Sequence, residues 1–123
     1  MPLIDIRTNL LSVSDDFLCR FAQELGKTIE KKSKDIEVSL TTNAKIIFNG
    51  DFQTPAAHIS YQTTDLEFTD VHRRQVIKEI SLLVKKYLDV KASRLFIRVE
   101  QLKHNEVGIS GHLYSDLMKK SKL

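Results

Sequence analysis

The sequence has no tryptophan, one cysteine, two prolines and four glycines among its 123 residues. The single cysteine, Cys19, excludes an internal disulfide framework and a thiol-based metal cluster. Its position between Leu18 and Phe21 in a helical pattern predicts a buried structural thiol. No segment approaches the roughly 20 consecutive apolar residues of a membrane span. The start of the chain also lacks the cationic region and the apolar stretch of a secretory signal.

The charges are close to balance, because 19 lysines and arginines stand against 16 acidic residues, a net charge of +3. This excess is too small to indicate nucleic-acid binding on its own. The basic run at 27–34 is interrupted by Glu30 and falls at a predicted helix end, where lysines complement the helix dipole. We favour that interpretation over a phosphate-binding patch. The histidines, at positions 58, 72, 104 and 112, lack the paired spacing of a zinc site, so we expect no metal and no cofactor.

Alternation and helical periodicity predict the elements of one domain. Pro2–Thr8 alternates, with Ile4 and Ile6 on one face, as a half-buried strand does. Further strands are predicted at 36–40, 45–48, 56–64 and 94–102, with short strand character at 107–114. Two apolar stripes at helical spacing predict two helices. The stripes are Phe17, Phe21, Leu25 and Ile29 in the first helix, and Val76, Ile80, Leu83, Val84 and Tyr87 in the second.

The order of these elements indicates a pseudo-repeat of two β-α-β units of similar length. Each unit should have parallel strands and a right-handed connection. The predicted fold class is α/β (α+β), a mixed four-stranded sheet with two helices on one face. The other face, to which we assign Leu3, Ile47, Ile59 and Ile97, would be open and apolar. An exposed apolar sheet face predicts association into a homo-oligomer.

Pro2 stands directly after Met1, at the head of the first strand. Proline has no backbone N–H and therefore suits the first residue of a strand. A second interpretation is chemical, because removal of Met1 would leave Pro2 as a free secondary amine, which is a base. An α-amino group has a reference pKa of about 7.7–8.0, and burial lowers it towards neutrality.

Four stretches together resemble the macrophage migration inhibitory factor and D-dopachrome tautomerase family. They are the opening MPLIDIRTNL, the lysine after the first helix, FNGDFQTP, and the closing SRLFIRVEQLKHNEVGISG. The similarity runs from Met1 to about Gly111, and the start looks closer to the D-dopachrome tautomerase branch. It implies a homotrimer with active sites between neighbouring subunits. It also implies keto–enol tautomerisation of a small enolisable aromatic 2-keto acid, with Pro2 as the general acid/base. The enzyme class would be an intramolecular oxidoreductase (tautomerase or isomerase) or a dopachrome-type lyase.

The resemblance assigns further residues to the substrate site. Lys31 matches the family's active-site lysine and would hold a carboxylate. The alternative is that Lys31 is a solvated lysine at a helix end. Because Lys32 and Lys34 are close in sequence, the assignment of the active-site lysine to position 31 stays open. Arg98 would be a second cation with bidentate contact, or else an ordinary strand-surface arginine. The other assigned residues are Thr64, through its backbone N–H, Phe96 near the pocket, and Val107 and Ile109, on the apolar wall or at the subunit interface.

Three departures from the family pattern bear on function. The stretch TTD at 63–65 replaces the common Ser-Ile-Gly, and Asp65 could repel a carboxylate or hold Pro2 protonated. Lys32 replaces the proline that commonly follows the lysine. AAHI at 56–59 replaces the Cys-x-x-Cys of the cytokine branch, which excludes thiol oxidoreductase chemistry. Two hypotheses remain: a tautomerase, or a catalytically weak or inactive cytokine-like binding and signalling protein of the same fold.

The domain is predicted over 1–114, followed by an extended polar tail at 115–123. The tail ends in Ser121, Lys122 and Leu123. A C-terminal Ser-Lys-Leu is a peroxisomal address read by an import receptor. We therefore expect a peroxisomal protein, beside which a cytoplasmic pool stays open. Chance occurrence in a lysine-rich tail is the alternative.

Overall fold

The computed structural model describes residues 1–121. The elements are β1 (Pro2–Thr8), α1 (Phe17–Ile29), β2 (Glu37–Thr41), β3 (Ala57–Thr63), α2 (Asp70–Leu88), β4 (Leu95–Gln101), β5 (Gly108–Ile109), β6 (His112–Leu113) and α3 (Tyr114–Ser121). Within this described part of the chain, no helix is long and apolar enough to cross a membrane. The same residues contain no group of three or more histidine, cysteine or acidic side chains that could hold a metal ion.

The four longer strands form one mixed sheet in the order β2-β1-β3-β4. β1 runs parallel to β2, and β3 runs parallel to β4, while the central β1–β3 pair is antiparallel. Each parallel pair is connected through a helix, so the chain consists of two β-α-β units placed side by side. The predicted fold class and pseudo-repeat are confirmed. β5 and β6 form a separate small hairpin, where the sequence predicts short strand character.

The core lies between one face of the sheet and the two long helices. Ile4 and Ile6 of β1 are at most 2% exposed, and the predicted apolar stripes of α1 and α2 pack against them. The rings of Phe17 and Phe21 lie 5.5 Å apart, one helical turn from each other. Both helices therefore cover the same sheet face, as the periodicity predicts.

The end of α1 reverses sharply and sets the position of Lys31. Glu30 adopts a left-handed conformation with φ of 57°. The N–H of Lys31 then donates to the Gly26 carbonyl at 2.9 Å. A Cβ atom on Gly26 would lie 2.5 Å from the Lys31 carbonyl oxygen. The absence of a side chain at Gly26 is thus what lets the chain fold back over the helix.

Leu3 lies on the open face of the sheet, as expected, but most side chains of that face are polar, so the expectation of an apolar face is wrong. Ile59 is fully buried on the helix face, and Ile97 packs against the same core. Ile47 is exposed but lies outside the strands. The open face instead carries hydrogen-bonded polar pairs between neighbouring strands. They are Arg7 with His58, Ser39 with Asp5, and Gln62 with Glu100.

The predicted strand at 45–48 is a loop with a single bridge between Phe48 and Asp51. Arg94, which is 8% exposed, replaces a neighbouring strand as the partner of the loop's backbone. Its guanidinium donates to the carbonyls of Phe48, Asp51 and Thr54 at 2.5, 3.1 and 2.9 Å. The apolar run is therefore held by one buried cation.

Two further expectations are wrong, the burial of Cys19 and the extended conformation of the C-terminal tail. Cys19 is exposed, since it lies two residues from Phe17 and so on the opposite side of α1. The tail is helical through Ser121, where an extended chain is expected. Tyr114 and Met118, one turn apart on α3, both line the cleft described below. Lys122 and Leu123, the last two residues of the predicted peroxisomal tripeptide, lie outside the described residues.

Candidate active site

One edge of the sheet brings the start of β1 beside the ends of β3 and β4. Pro2 pairs with Thr63 across the antiparallel ladder, and Thr63 pairs with Gln101 across the parallel ladder. Pro2 is under 2% exposed at this edge. It occupies the first position of its strand, where a missing N–H breaks no ladder bond.

The amino terminus of the chain is the amine of Met1, and it lies at this edge. It donates a hydrogen bond of 2.5 Å to Thr64 Oγ1 and lies 3.9 Å from Asp65 Oδ1. The Met1 carbonyl accepts the N–H of Thr64 at 3.4 Å. In this form the Pro2 nitrogen is part of an amide and has no basic lone pair. Removal of Met1 would free both the Pro2 nitrogen and the N–H of Thr64.

Burial controls the electrostatics of this amine. It lowers the pKa of the amino terminus below the ordinary value of 8.0, because the charged form loses hydration. The Asp65 carboxylate acts in the opposite direction and favours the protonated amine, whereas Lys31 lowers the pKa further. An amine at this edge is therefore more readily deprotonated near neutral pH than one in open solvent.

Lys31 reaches the same edge after the reversal of α1. Its Nζ lies 3.1 Å from Asp65 Oδ1, with the two side chains 35% and 32% exposed. The structure thus brings together three of the predicted site residues, Pro2, Lys31 and Thr64. It also shows that Asp65 is a direct partner of Lys31. The sequence indicated only that Asp65 lies near Pro2.

Phe96 and Arg98 lie elsewhere on the single chain. They pair with His58 and Ser60 in the β3–β4 ladder, five and three residues before Gln101. At about 3.3 Å per residue, Phe96 is roughly 16 Å along the strand from the Pro2 edge. Its side chain is 56% exposed on the open face. Arg98 is also exposed there, with its guanidinium 3.5 Å from the Glu100 carboxylate.

Ile109 belongs to the C-terminal hairpin, and Val107 lies just before it. The carbonyl of Val107 accepts the N–H of Tyr114 at 2.7 Å, and Ile109 pairs with His112. Among the described residues, neither these two nor Pro2 itself lines the cleft beside this edge, whereas Met1 does. The same segment contributes His104, Tyr114 and Met118 to the cleft wall instead.

The cleft has a volume of about 790 Å³, large enough for a small aromatic molecule. Met1, Lys31, Thr64 and Asp65 lie along one side of it. Aromatic side chains supply apolar surface. These are Tyr61, Phe68 and Tyr114.

Sequence reasoning missed His104 and Tyr61 as parts of this cleft. Nε2 of His104 lies 2.5 Å from the Thr64 carbonyl, which can only accept, so this nitrogen carries the proton. The His104 ring also contacts Tyr114, with 4.7 Å between ring centroids. Burial raises the pKa of the Tyr61 phenol well above its usual range, so it remains protonated. The alternation of β3 places Tyr61 on the same face as Thr63, and this signal was available in the sequence.

The sequence pattern of the macrophage migration inhibitory factor family matches residues 1–115. The chain belongs to this family. A curated relative, the MIF-like protein mif-3 of Caenorhabditis elegans, is 24% identical over 116 residues, which are 94% of this chain and 78% of the relative. The macrophage migration inhibitory factor family is part of the tautomerase superfamily, whose members are isomerases. Proteins with the fold of this family are generally oligomeric.

Solved structures share the fold at low sequence identity. The macrophage migration inhibitory factor of Trichinella spiralis has a TM-score of 0.80 at 21% identity, over 89% of this chain and 96% of that chain. The macrophage migration inhibitory factor of Oncomelania hupensis has a TM-score of 0.83 at 18% identity, over 99% of this chain and 88% of that chain. A third structure is of a protein inactivated by 2-oxo-3-pentynoate. It has a TM-score of 0.79 at 16% identity, over 94% of this chain and 98% of that chain.

Proposed function

We propose that the chain is a keto–enol tautomerase that uses Pro2, after removal of Met1, as its general acid/base. The observation that carries the proposal is the position of the amino terminus, because Met1 lines the cleft together with Lys31 and aromatic side chains, and Pro2, the next residue, is buried. Burial lowers the pKa of the Met1 amine at this place, and Pro2, whose amine would take over after removal of Met1, is more deeply buried. Membership of an isomerase superfamily supports the same reaction class.

The reaction needs one proton to move in two steps. The free Pro2 nitrogen takes a proton from the carbon next to the substrate carbonyl, and the electron pair of that C–H bond forms the enolate. The protonated amine then returns the proton to the enolate oxygen, which gives the enol. Lys31 stabilises negative charge on the substrate, and the reverse sequence converts the enol to the ketone.

The proposed substrate is a small enolisable aromatic 2-keto compound, for which phenylpyruvate is the first assay molecule. The aromatic walls of the cleft and the inactivation of a fold neighbour by 2-oxo-3-pentynoate support this class. The D-dopachrome tautomerase branch is part of the proposal, on the strength of the opening residues and the stretch RLFIR at 94–98.

We also propose a homotrimer with active sites between subunits. Phe96 and Arg98 are too far along β4 to reach Pro2 of their own chain, and they are exposed on the open face. A neighbouring subunit would bring them, together with Val107 and Ile109, to the substrate. Sedimentation equilibrium measures the mass of the assembly, and a monomer at micromolar concentration would contradict this part of the proposal.

The catalytic test compares Pro2→Gly with Pro55→Gly, the other proline of the chain. Glycine at position 2 still permits removal of Met1, so intact mass can confirm that both variants carry a free second residue. We expect Pro2→Gly to reduce phenylpyruvate turnover by about 100-fold or more, the usual contribution of a general acid/base. Pro55→Gly should keep the wild-type rate. Equal rates for wild type and Pro2→Gly would refute the assignment.

A binding and signalling protein of the same fold is the second candidate, and one observation favours it. The stretch TTD at 63–65 stands where the family commonly has Ser-Ile-Gly, and Asp65 Oδ1 lies 3.1 Å from Lys31 Nζ, so the lysine that would hold a substrate is already paired. A purified chain that retains Met1 in its native host and turns over no phenylpyruvate would support this candidate over the enzyme.

For localisation we propose import into peroxisomes through residues 121–123, with a cytoplasmic pool. The test uses a fluorescent protein fused before the chain, so that the C-terminus remains free. Deletion of the last three residues should disperse a punctate signal that overlaps a peroxisomal marker. An unchanged pattern after the deletion would contradict the targeting role.

A further inference from the structure

Both cations that the resemblance assigns to a substrate carboxylate already hold carboxylates of the same chain. Lys31 Nζ lies 3.1 Å from Asp65 Oδ1, and the Arg98 guanidinium lies 3.5 Å from Glu100 Oε2. The Arg98 pair is well exposed, and exposed pairs contribute little. The Lys31 pair is about two-thirds shielded from solvent, so its Coulomb attraction is less screened.

Asp65 is held in place by its backbone as well as by the ion pair. Its N–H donates to Thr63 Oγ1 at 3.1 Å. Gln101 Nε2 donates to the Asp65 carbonyl oxygen at 2.8 Å. These bonds fix the residue at the ends of β3 and β4, directly beside the lysine. An incoming carboxylate would therefore meet a fixed negative charge that it cannot easily displace.

The other charges of the cleft also disfavour the binding of a carboxylate. Among its lining residues that the structure describes, three are acidic, Glu30, Asp65 and Glu67, and one is a lysine, Lys31. Burial lowers the pKa of the Met1 amine at this edge, whereas Asp65 raises it. A free carboxylate ligand thus enters a cleft whose lysine is already neutralised and whose remaining fixed charge is negative.

We propose that Asp65 determines substrate class, so that the cleft prefers an uncharged enolisable carbonyl compound, such as an ester, amide or ketone, to the free carboxylate. This inference deepens the proposed function and depends on the same cleft. In an uncharged ligand, a carbonyl oxygen can accept a hydrogen bond from Lys31 while Asp65 stays paired. A carboxylate gains from Lys31 only if the ion pair opens.

The test measures binding, not turnover, so that it does not depend on Pro2 chemistry. The probes are phenylacetate and phenylacetamide, which have nearly the same shape and differ in charge. Dissociation constants come from backbone amide NMR shifts of the full-length chain at pH 7, with shifts at Thr64 and Asp65 reporting the site. The variants are Asp65→Asn and, as a second replacement, Asp65→Ser. Asp89→Asn is the matched control, because Asp89 is an exposed acid at the end of α2.

We expect the wild type to bind phenylacetamide about threefold or more tightly than phenylacetate. Asp65→Asn and Asp65→Ser should improve phenylacetate binding by about tenfold and leave phenylacetamide within about twofold, because they release a partly buried lysine. Asp89→Asn should leave both constants unchanged. Adding Lys31→Met to Asp65→Asn should remove the gain.

Three results would overturn the inference: a wild type that prefers phenylacetate, equal gains in Asp65→Asn and Asp89→Asn, or no binding of either probe. The proposed tautomerase activity fails separately, if Pro2→Gly leaves phenylpyruvate turnover unchanged. If both hold, the methyl ester of phenylpyruvate should have the higher kcat/KM in the wild type. Asp65→Asn should then shift the ratio towards the acid.

Discussion

Replacement of Gly26 by alanine sets two physical effects against each other. Alanine is the better helix former, and at an exposed interior site it would stabilise α1 by about 1 kcal/mol. At Gly26, however, the new Cβ would lie 2.5 Å from the Lys31 carbonyl oxygen and 3.3 Å from Ile36 Cδ1. The first of these is a backbone atom, so relief requires the peptide at Lys31 to move.

Relief of such a clash costs about 2 kcal/mol, and loss of the bond from the Lys31 N–H to the Gly26 carbonyl costs about 1 kcal/mol more. After the gain in helix propensity, we expect Gly26→Ala to lower the free energy of unfolding by about 2 kcal/mol. Urea denaturation followed by circular dichroism measures this change, with an unchanged slope indicating the same folded and unfolded states.

Gly108→Ala is the matched control. A Cβ there would lie 3.6 Å from the His112 carbonyl oxygen, an ordinary contact, so we expect a change within about 0.5 kcal/mol. Stabilisation by Gly26→Ala, as helix propensity alone predicts, would refute the close approach at the end of α1. Because that approach positions Lys31, the variant should also weaken the NMR response of the cleft to phenylacetamide.

Two further predictions concern the loop at 44–55. Arg94→Lys should lower the free energy of unfolding by about 2–3 kcal/mol, since a single lysine nitrogen cannot occupy the positions of both guanidinium nitrogens that donate to the three carbonyls. Urea denaturation measures the change, and a loss no larger than that of the exposed control Arg74→Lys would contradict the role. Hydrogen bonds from the Thr54 side chain and the backbone hold the pKa of Asp51 at about 2, below its ordinary 3.8. The ionised carboxylate therefore stabilises the fold above pH 3.8, and this contribution is lost as the pH falls towards 2. Acid unfolding of Asp51→Asn should be less steep in that interval, and parallel curves for the two proteins would argue against it.

The elements that depend on local pattern were predictable from the sequence. The alternation of β1 and the stripes of α1 and α2 follow directly from which residues each face must bury. The exposure of Cys19 was available from the same helical geometry, because it lies opposite the face that buries Phe17 and Phe21.

The features that depend on distant parts of the chain were not predictable in this way. The run at 45–48 has the composition of a strand, but its backbone partner is Arg94. The pair of Lys31 and Asp65 joins residues 34 positions apart, and it requires both the reversal of α1 and the end of β3. Periodicity carries no information about such a meeting. The family resemblance supplied Lys31 as a site residue, but a relative without an acid at position 65 cannot indicate its partner.

The burial of Pro2 restricts when Met1 can be removed. The peptide bond between Met1 and Pro2 is folded against the sheet edge, with Pro2 buried and the Met1 carbonyl held by the N–H of Thr64. An aminopeptidase needs that bond in an extended, accessible segment. Removal of Met1 from the folded chain would therefore require the β1–β3 pair to open at Pro2 and Thr63, so we expect the free Pro2 amine to form before these strands pair.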